Sequence, residues 1–389
     1  MRIMTPLLLL LVVGPPTATG QTPTLEGELR AEIARLRESL ARAEALLARI
    51  EKERGSAATA APEAVTAPTP APPPAPRRAP ALNTPPKLPA SNAENYRKAP
   101  PRFDVMLQAR YDHFQNENLN STFFLRKAEL AVKGHIARNV DFSLELDPVR
   151  TAINDPFRRT YIRLTHFGRL HFKVGLEKPP IGLEELTPTA QIPFVDRSEV
   201  TDRFAAAEEL GVFAESTWDH FMLQASLTNG GRRLYRDDNR HKDFAARAVW
   251  APHEKFSLGV ATLQGKAGAQ EVDRIRYNVE AKYGTNLRGA QAEFYRAKTL
   301  DVWSDAFYVA GFWALPAKRG WLTHLQPVAR YEHIDRADND PLLELRLLTV
   351  GLSVMLNENR SKLQVNWLTD VRRDSPRKDE IRAQYQVEF

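Results

Sequence analysis

The last ten residues of the chain, Glu380 to Phe389, alternate without a break. Glu380, Arg382, Gln384, Gln386 and Glu388 are polar, while Ile381, Ala383, Tyr385, Val387 and Phe389 are apolar, small or aromatic. Side chains on a strand have a period of two, so this segment has one wet face and one greasy face. Two environments satisfy such a strand. On a soluble sheet the greasy face packs on a core; in an outer-membrane barrel it meets lipid while the polar face borders a water-filled lumen. The rest of the chain separates the two.

From Arg102 onward the text reads as strands over 103–114, 121–134, 139–147, 157–166, 169–176, 208–216, 219–228, 243–251, 255–264, 272–283, 287–297, 302–315, 321–334, 343–356, 360–370 and 380–389. That is an even number, sixteen, within the range of single-chain barrels. The 288 positions from 102 to 389 give about 18 per strand, which suits ~10-residue strands with their connections. Connection lengths alternate. Brief turns such as His166-Phe167-Gly168, Ser216-Thr217-Trp218-Asp219, Gly284-Thr285-Asn286 and Asn357-Glu358-Asn359 follow even strands, with Pro316 to Gly320 expected after the twelfth. Most odd strands lead into longer polar loops, among them Gln115 to Asn120, Pro148 to Pro156 and Val371 to Asp379. A sandwich predicts no such alternation. The expected fold is all-β: a 16-stranded antiparallel transmembrane β-barrel over 102–389, preceded by a short α-helical coiled coil and a Pro-rich linker.

The N-terminal segments fit an exported chain. Met1-Arg2, an apolar run from Leu7 to Val13, Pro15-Pro16 and small residues to Gly20 read as a signal peptide over 1–20. That apolar run is far short of the ~20 residues of a membrane helix. With no cysteine, disulfides, thiolate metal sites and a lipoprotein anchor are excluded. Over 21–54, Leu29, Ile33, Leu36, Leu40, Ala43, Leu47 and Ile50 form a heptad seam, a periplasmic coiled coil whose oligomer number the residues leave open. A single amphipathic helix packed on another surface fits the same spacing. Residues 55–101, rich in Ala and Pro, form an extended linker.

The net charge of +6 suggests anionic partners, and export argues against nucleic acid. Charges also mark the inner face of the strands. Arg274, Arg276, Asn278, Glu280 and Lys282 oppose Ile275, Tyr277, Val279, Ala281 and Tyr283; Arg169, His171 and Lys173 oppose Leu170, Phe172 and Val174. A charge on the lipid face near the midplane costs about 2–4 kcal/mol, so these charged faces line the lumen. Lys127, Lys133, Arg159, Arg163, Arg247 and Arg330 extend the basic set, and Glu129, Glu145, Asp147, Glu280, Glu332 and Glu344 offer neutralising partners. Trp218, Trp250, Trp303, Trp313, Trp321 and Tyr385 lie near strand ends, as in interfacial girdles.

The segment from Leu176 to Ala207 breaks the rhythm with a loop of about thirty residues, a length that is usually functional in a compact domain. Its motifs, Phe172-Lys173-Val174-Gly175-Leu176-Glu177-Lys178-Pro179-Pro180-Ile181-Gly182-Leu183-Glu184 and Phe194-Val195-Asp196-Arg197-Ser198, resemble the phosphate-selective porin O/P family. Thr122 to Leu130 and Gln326 to Glu332 resemble that family's second and late strands. The resemblance implies a trimeric sixteen-stranded barrel, anion selectivity with phosphate or polyphosphate as best-known substrates, and a third loop folded into the pore. It carries Lys178 and Arg197 over to the constriction, and Arg126 and Lys127 to a basic cluster of which one member faces the lumen. Glu129 departs from the pattern, standing where a third basic residue is expected. An ion pair of Lys178 with Glu184 or Glu185 is the alternative role for that lysine.

The reading is an outer-membrane channel for passive, anion-selective diffusion, lined by Arg126, Lys127, Arg159, Arg163, Arg169, Lys173, Lys178, Arg197, Arg274 and Arg276. Its partners are outer-membrane lipid, small anions including phosphate, further copies in a homotrimer, and peptidoglycan through the N-terminal extension. The alternative is a structural anchor that ties the barrel to the cell wall. No G-x-S-x-G elbow, cofactor motif or metal-ligand spacing supports an enzyme.

Overall fold

The computed structural model describes residues 100–389, apart from 117–118, 150–155, 231–238, 269, 300–301, 337–343, 358–359 and 373–378. The signal peptide, the coiled coil and nearly all of the linker lie outside the described residues.

Strands β1 (Arg102–Phe114), β2 (Thr122–Ala137), β3 (Val140–Leu146), β4 (Thr160–Phe167) and β5 (Leu170–Glu177) precede the long loop. After it come β6 (Glu209–Thr217), β7 (Phe221–Thr228), β8 (Asp243–His253), β9 (Phe256–Ala267), β10 (Val272–Gly284), β11 (Arg288–Thr299) and β12 (Val302–Trp313). The last are β13 (Leu315–Arg319), β14 (Leu322–Arg336), β15 (Leu345–Leu356), β16 (Ser361–Asp370) and β17 (Glu380–Glu388). Apart from β12 and β13, each strand pairs antiparallel with its sequence neighbours, and β1 pairs with both β2 and β17, which closes the sheet. Phe389 and Val105 exchange backbone hydrogen bonds at the seam. Closure removes every edge, as a strand-built membrane span requires.

β12 and β13 both pair with β14 and form one stave of sixteen. This corrects the turn expected at Pro316 to Gly320. The strand breaks at Ala314, whose N–H donates to Leu287 O at 2.7 Å, then resumes and turns only at Gly320 (φ 56°). Pro316 lacks an N–H, and the ladder beside it shifts register instead of ending. Asn139 (φ 61°) and Asn357 (φ 47°) occupy left-handed positions in tight turns at the same end of the barrel.

The faces follow the alternation. Phe103, Leu107, Val174, Val212, Leu223, Val260, Val279, Val309, Val365 and Ile381 are exposed on the outside, while Gln108, Arg110, Asp141, Glu145, Arg247, Glu280, Glu332, Gln364 and Gln384 are buried inside. Trp218, Trp250, Trp313 and Trp321 are exposed near the short-turn end, as a girdle requires. The apolar core lies within the barrel. Ile181, Ile192, Phe194, Val200 and Phe204 of the long loop cluster with Ala245, Leu263, Tyr295, Tyr308, Phe312, Leu347 and Leu368 of the inner wall. One side of the interior is therefore packed solid.

Candidate pore lining and lumen loop

The loop from Lys178 to Glu208 contains two short helices, α1 (Leu183–Leu186) and α2 (Glu199–Phe204), joined through a 3-10 turn at Thr189–Gln191. Ser198 caps α2, its Oγ accepting from Thr201 N at 2.9 Å. The wall supplies what α1 lacks. Glu293 of β11 accepts from Leu183 N at 2.9 Å and from Glu184 N at 2.8 Å, meeting the unpaired donors of α1's first turn. Glu332 of β14 does the same for α2, accepting from Glu199 N at 2.6 Å and Val200 N at 3.4 Å. Tyr295 and Tyr308 hydroxyls donate to Glu293 at 2.9 and 2.7 Å.

Between the helices, β15 and β16 grip extended backbone. Ser353 Oγ donates to Pro193 O at 2.9 Å, Gln364 Nε2 donates to Pro193 O and Phe194 O at 2.9 and 3.0 Å, and Asn366 Oδ1 accepts from Val195 N at 2.7 Å. Lys362 Nζ donates to Ala190 O and Ile192 O. Arg330 lies over the Phe194 ring at 4.5 Å, pairs with Glu332 at 2.8 Å and donates to Asp196 O and Arg197 O. Gly182 (φ 87°) lets the chain pass Tyr295, since a Cβ there would stand 2.2 Å from its hydroxyl.

The loop also reaches the strands at the closure seam. Asp196 receives three guanidinium groups: Arg110 at 2.7 Å, Arg126 at 3.0 Å and Arg382 at 3.0 Å. Burial raises the Asp196 pKa, but the arginines, Arg110 foremost, outweigh it and hold the carboxyl down at about 2. Lys178 pairs with Glu185, its Nζ also donating to Glu185 O at 2.8 Å. Arg197 pairs with the same Glu185 at 3.1 Å and donates to Thr187 O at 2.8 Å. Burial, reinforced by Arg197 and opposed by Glu185, pulls Lys178 down to about 8. The two loop cations expected at the constriction thus share one acidic partner, and Lys178 makes the Glu185 pair weighed from the sequence.

The remaining basic residues sit on the wall facing the loop. A β-bulge between Gln108 and Ala109 pairing positions places both Arg126 and Lys127 on the inner face, where an unbroken strand admits one. Arg126 reaches Asp196, and Lys127 pairs with Glu129 and donates to Thr189 Oγ1 at 3.4 Å. A similar irregularity precedes β4: Arg158 N donates to Glu145 O at 2.7 Å, and Arg158 and Arg159 both turn inward, toward Glu208 at 3.7 Å and Glu145 at 2.8 Å. Arg163 pairs with Asp141 at 2.8 Å; Lys173 pairs with Glu177 at 2.8 Å and lies over the Tyr161 ring at 4.9 Å. The side chains of Arg159, Arg126, Arg163 and Lys173 keep 31, 24, 18 and 17% exposure, so they border open lumen, unlike Arg247 or Arg330 at 2%.

Three other expected residues have different placements. Arg169 lies in the exposed turn between β4 and β5, at the rim and off the inner face, because β5 starts only at Leu170. Arg274 is held by Glu209 and Asp243, each at 2.7 Å. Arg276 donates to Phe204 O and Ala205 O at the end of α2, serving the loop's orphan carbonyls. Glu293, Gln364 and Asn366, which fasten the loop, were not among the expected site residues. Their only signal was polarity at inward positions of otherwise greasy strands. Among the described residues no group of three metal-ligating side chains forms, and no helix is long and apolar enough to cross a membrane.

A closed barrel with an inward-folded loop after its fifth strand and charges lining the interior is a porin architecture. Residues 103–268 match the family model of phosphate-selective porin O and P. The span covers β1 to β9 and includes the long loop, whose motifs carried the resemblance. Solved structures extend the likeness to the whole barrel at the level of fold. OmpF of Salmonella typhi, in complex with daunomycin, is 9% identical with a TM-score of 0.58 and covers 74% of this chain and 97% of its own. The anion-selective porin from Comamonas acidovorans is 11% identical with a TM-score of 0.53, covering 74% of this chain and 99% of its own. OmpT of Vibrio cholerae, in trimer form, has the same identity, TM-score and coverage. No curated protein sequence matches the chain.

Proposed function

We propose that the barrel is an outer-membrane channel through which small inorganic anions diffuse passively, with the long loop narrowing the lumen against a basic wall. One observation carries the reading. Arg159, Arg163 and Lys173 border the open side of the lumen from β4 and β5, and Arg126 of β2 joins them from where it meets the loop at Asp196. Each has a nearby carboxylate, so the wall is a row of ion pairs and not a bare positive strip. Selectivity then arises because partly exposed guanidinium and ammonium groups exchange one screened partner for a passing anion at little net cost, while low-dielectric walls focus their field. Arg offers a planar fork matched to phosphate oxygens, and Lys a point charge. Phosphate or polyphosphate is the proposed cargo on the family match. The solved Comamonas protein is itself described as anion-selective, which fits the same direction.

Assembly as a homotrimer belongs to the same proposal, as do the signal peptide, periplasmic coiled coil and linker read from residues 1–101. Attachment to peptidoglycan through that extension is their proposed role. The test is single-channel current in a planar bilayer, with reversal potential under a KCl gradient and then added phosphate. Anion-selective current, weakened by Arg159→Glu or Lys173→Glu, supports the reading. Cation selectivity or no current from a folded barrel sinks it and promotes the anchor.

A further inference from the structure

Arg158 enters the barrel through a break in strand register. Ser143 pairs with Tyr161 while Leu146 bridges Phe157, so four steps along the chain entering β4 answer three along β3. The extra residue is a bulge, and it turns Arg158 inward beside Arg159. Backbone bonds fix the segment: Arg158 N donates to Glu145 O at 2.7 Å, and Asp147 N donates to Pro156 O at 2.8 Å. Phe157 is exposed outside, while Arg158 is buried inside with 4% exposure. The sequence reading did not single this residue out.

Its guanidinium is held differently from those around it. A guanidinium presents a fork, Nε–H beside Nη2–H, that suits the paired oxygens of one oxyanion. Elsewhere in this barrel carboxylates meet that fork. Glu145 accepts from Arg159 Nε and Nη2 at 3.3 and 2.8 Å, and Asp141 from those of Arg163 at 3.1 and 2.8 Å. Glu280 and Glu380 do the same for Arg247 and Arg382. Arg158 is turned the other way. Glu208 approaches its Nη1 at 3.7 Å, beyond hydrogen-bond distance, while Nε and Nη2 are buried and meet no acceptor among the described residues. Glu208 therefore offsets the charge without using the fork. A buried charged donor pair is costly to leave unmatched, and nearly all such groups in folded proteins find an acceptor.

We propose that Arg158 is a specificity-determining residue that takes an anion with two adjacent oxygens, phosphate or a small carboxylate, in its Nε/Nη2 fork and discriminates against halides. A halide offers one centre to two parallel donors and matches the fork poorly. The inference rests on the anion-channel reading for the ligand's route into the lumen. It adds to that reading a fixed station apart from Arg159, Arg163 and Lys173. Those side chains already have carboxylates in place and act on a passing anion chiefly through their field, whereas Arg158 supplies a test of shape. Because Arg158 is buried, its ligand must shed water to bind, a cost that two charge-assisted hydrogen bonds offset better than one.

The test uses the full chain in planar bilayers carrying chloride current, titrated with inorganic phosphate or with acetate, beside Arg158→Lys, which keeps the charge and loses the fork. Phosphate should block the wild-type current saturably, and Arg158→Lys should raise the half-blocking concentration by about tenfold or more. Acetate block lost in the same variant supports the fork for carboxylates too; phosphate block alone supports it for phosphate. A second readout needs no current. Phosphate should raise the thermal midpoint for loss of the heat-modifiable form above that in chloride of equal ionic strength, and Arg158→Lys should lack the shift. Heat-modifiable migration checks the fold, and Arg158→Gln serves if the lysine variant fails it. Absence of both phosphate effects in wild type, or undiminished effects in a folded variant, overturns the proposal. Failure of the anion-channel reading looks different: no current, or cation-selective current, with the midpoint shift still reporting on Arg158.

Discussion

Glu293 should be the side chain whose loss most frees the lumen loop. Its carboxylate accepts five hydrogen bonds: from Leu183 N and Glu184 N of the loop, from the Tyr295 and Tyr308 hydroxyls, and from Asn278 Nδ2 at 3.1 Å. Glu293→Ala leaves the two loop N–H groups facing an apolar gap. A hydrogen bond to a charged group contributes roughly 1.5–3 kcal/mol, so these two account for about 3–6 kcal/mol of loop anchoring. At about 1.4 kcal/mol per tenfold, the population with α1 detached rises by roughly two to four orders of magnitude. Water entering the gap pulls the effect toward the lower figure. Glu293→Gln has the same shape but presents an amide N–H2 to one donor set, so it should lie between. The assay is single-channel recording, paired with limited proteolysis read within 178–208. Expected are larger or noisier open levels and new cleavage near α1, graded Ala over Gln over wild type. Wild-type conductance, noise and cleavage in a folded Glu293→Ala barrel refute the claim that this carboxylate holds the loop; Glu332, Gln364 and Arg330 would then suffice alone.

Three other outcomes follow from the same contacts. Asp202 of α2 is raised to about 6 by burial within the barrel and then by Glu185; lowering pH from 7 to 5 protonates it, removes a negative charge, and should raise the anion-to-cation permeability ratio, a step that Asp202→Asn abolishes. Lys178 moves oppositely: lowered to about 8, it loses its positive charge between pH 7 and 9, so anion selectivity should fall over that range in wild type but not in Lys178→Gln. Gly175 (φ 139°) places its missing Cβ 2.4 Å from Thr160 O and 2.8 Å from Tyr161 Cα, both backbone, so Gly175→Val should push β4 from β5 at a cost of about 1–3 kcal/mol, read as a lower thermal midpoint for loss of the heat-modifiable form.

The barrel was legible in the sequence because one physical rule operates at every stave: lipid outside, water or packed loop inside, and a period of two between them. The run from Arg274 to Tyr283 faces as its alternation predicts, with Asn278, Glu280 and Lys282 buried within and Tyr277, Val279 and Tyr283 exposed without. Where the rule lapses locally, the reading lapses with it. A period-two reading assigns Arg126 and Lys127 to opposite faces, and only a bulge, which leaves no compositional mark, turns both inward. Arg169 fails for the converse reason: the strand begins one residue later, so the alternation that continues through it carries no facing.

The loop exposes a deeper limit of sequence reading. Lys178 and Arg197 stood out as cations in a motif, yet a cation's role depends on what it is left with after pairing. Glu185 takes both, at a position the sequence marks only as one acid among several. The open side of the lumen is instead lined by residues whose carboxylates are already fixed to the sheet: Glu145 and Asp141 on β3 for Arg159 and Arg163, and Glu177 on its own strand for Lys173. These acids are held close to the sheet by their ion pairs, so they cannot follow a mobile cation, whereas the longer basic side chains can swing toward an anion. Under the proposed function, that asymmetry of reach, rather than net charge, is what lets a nearly neutral wall favour anions. Arg159→Lys tests it, since charge is kept while reach is shortened, and anion selectivity should fall even though the formal charge of the pore is unchanged.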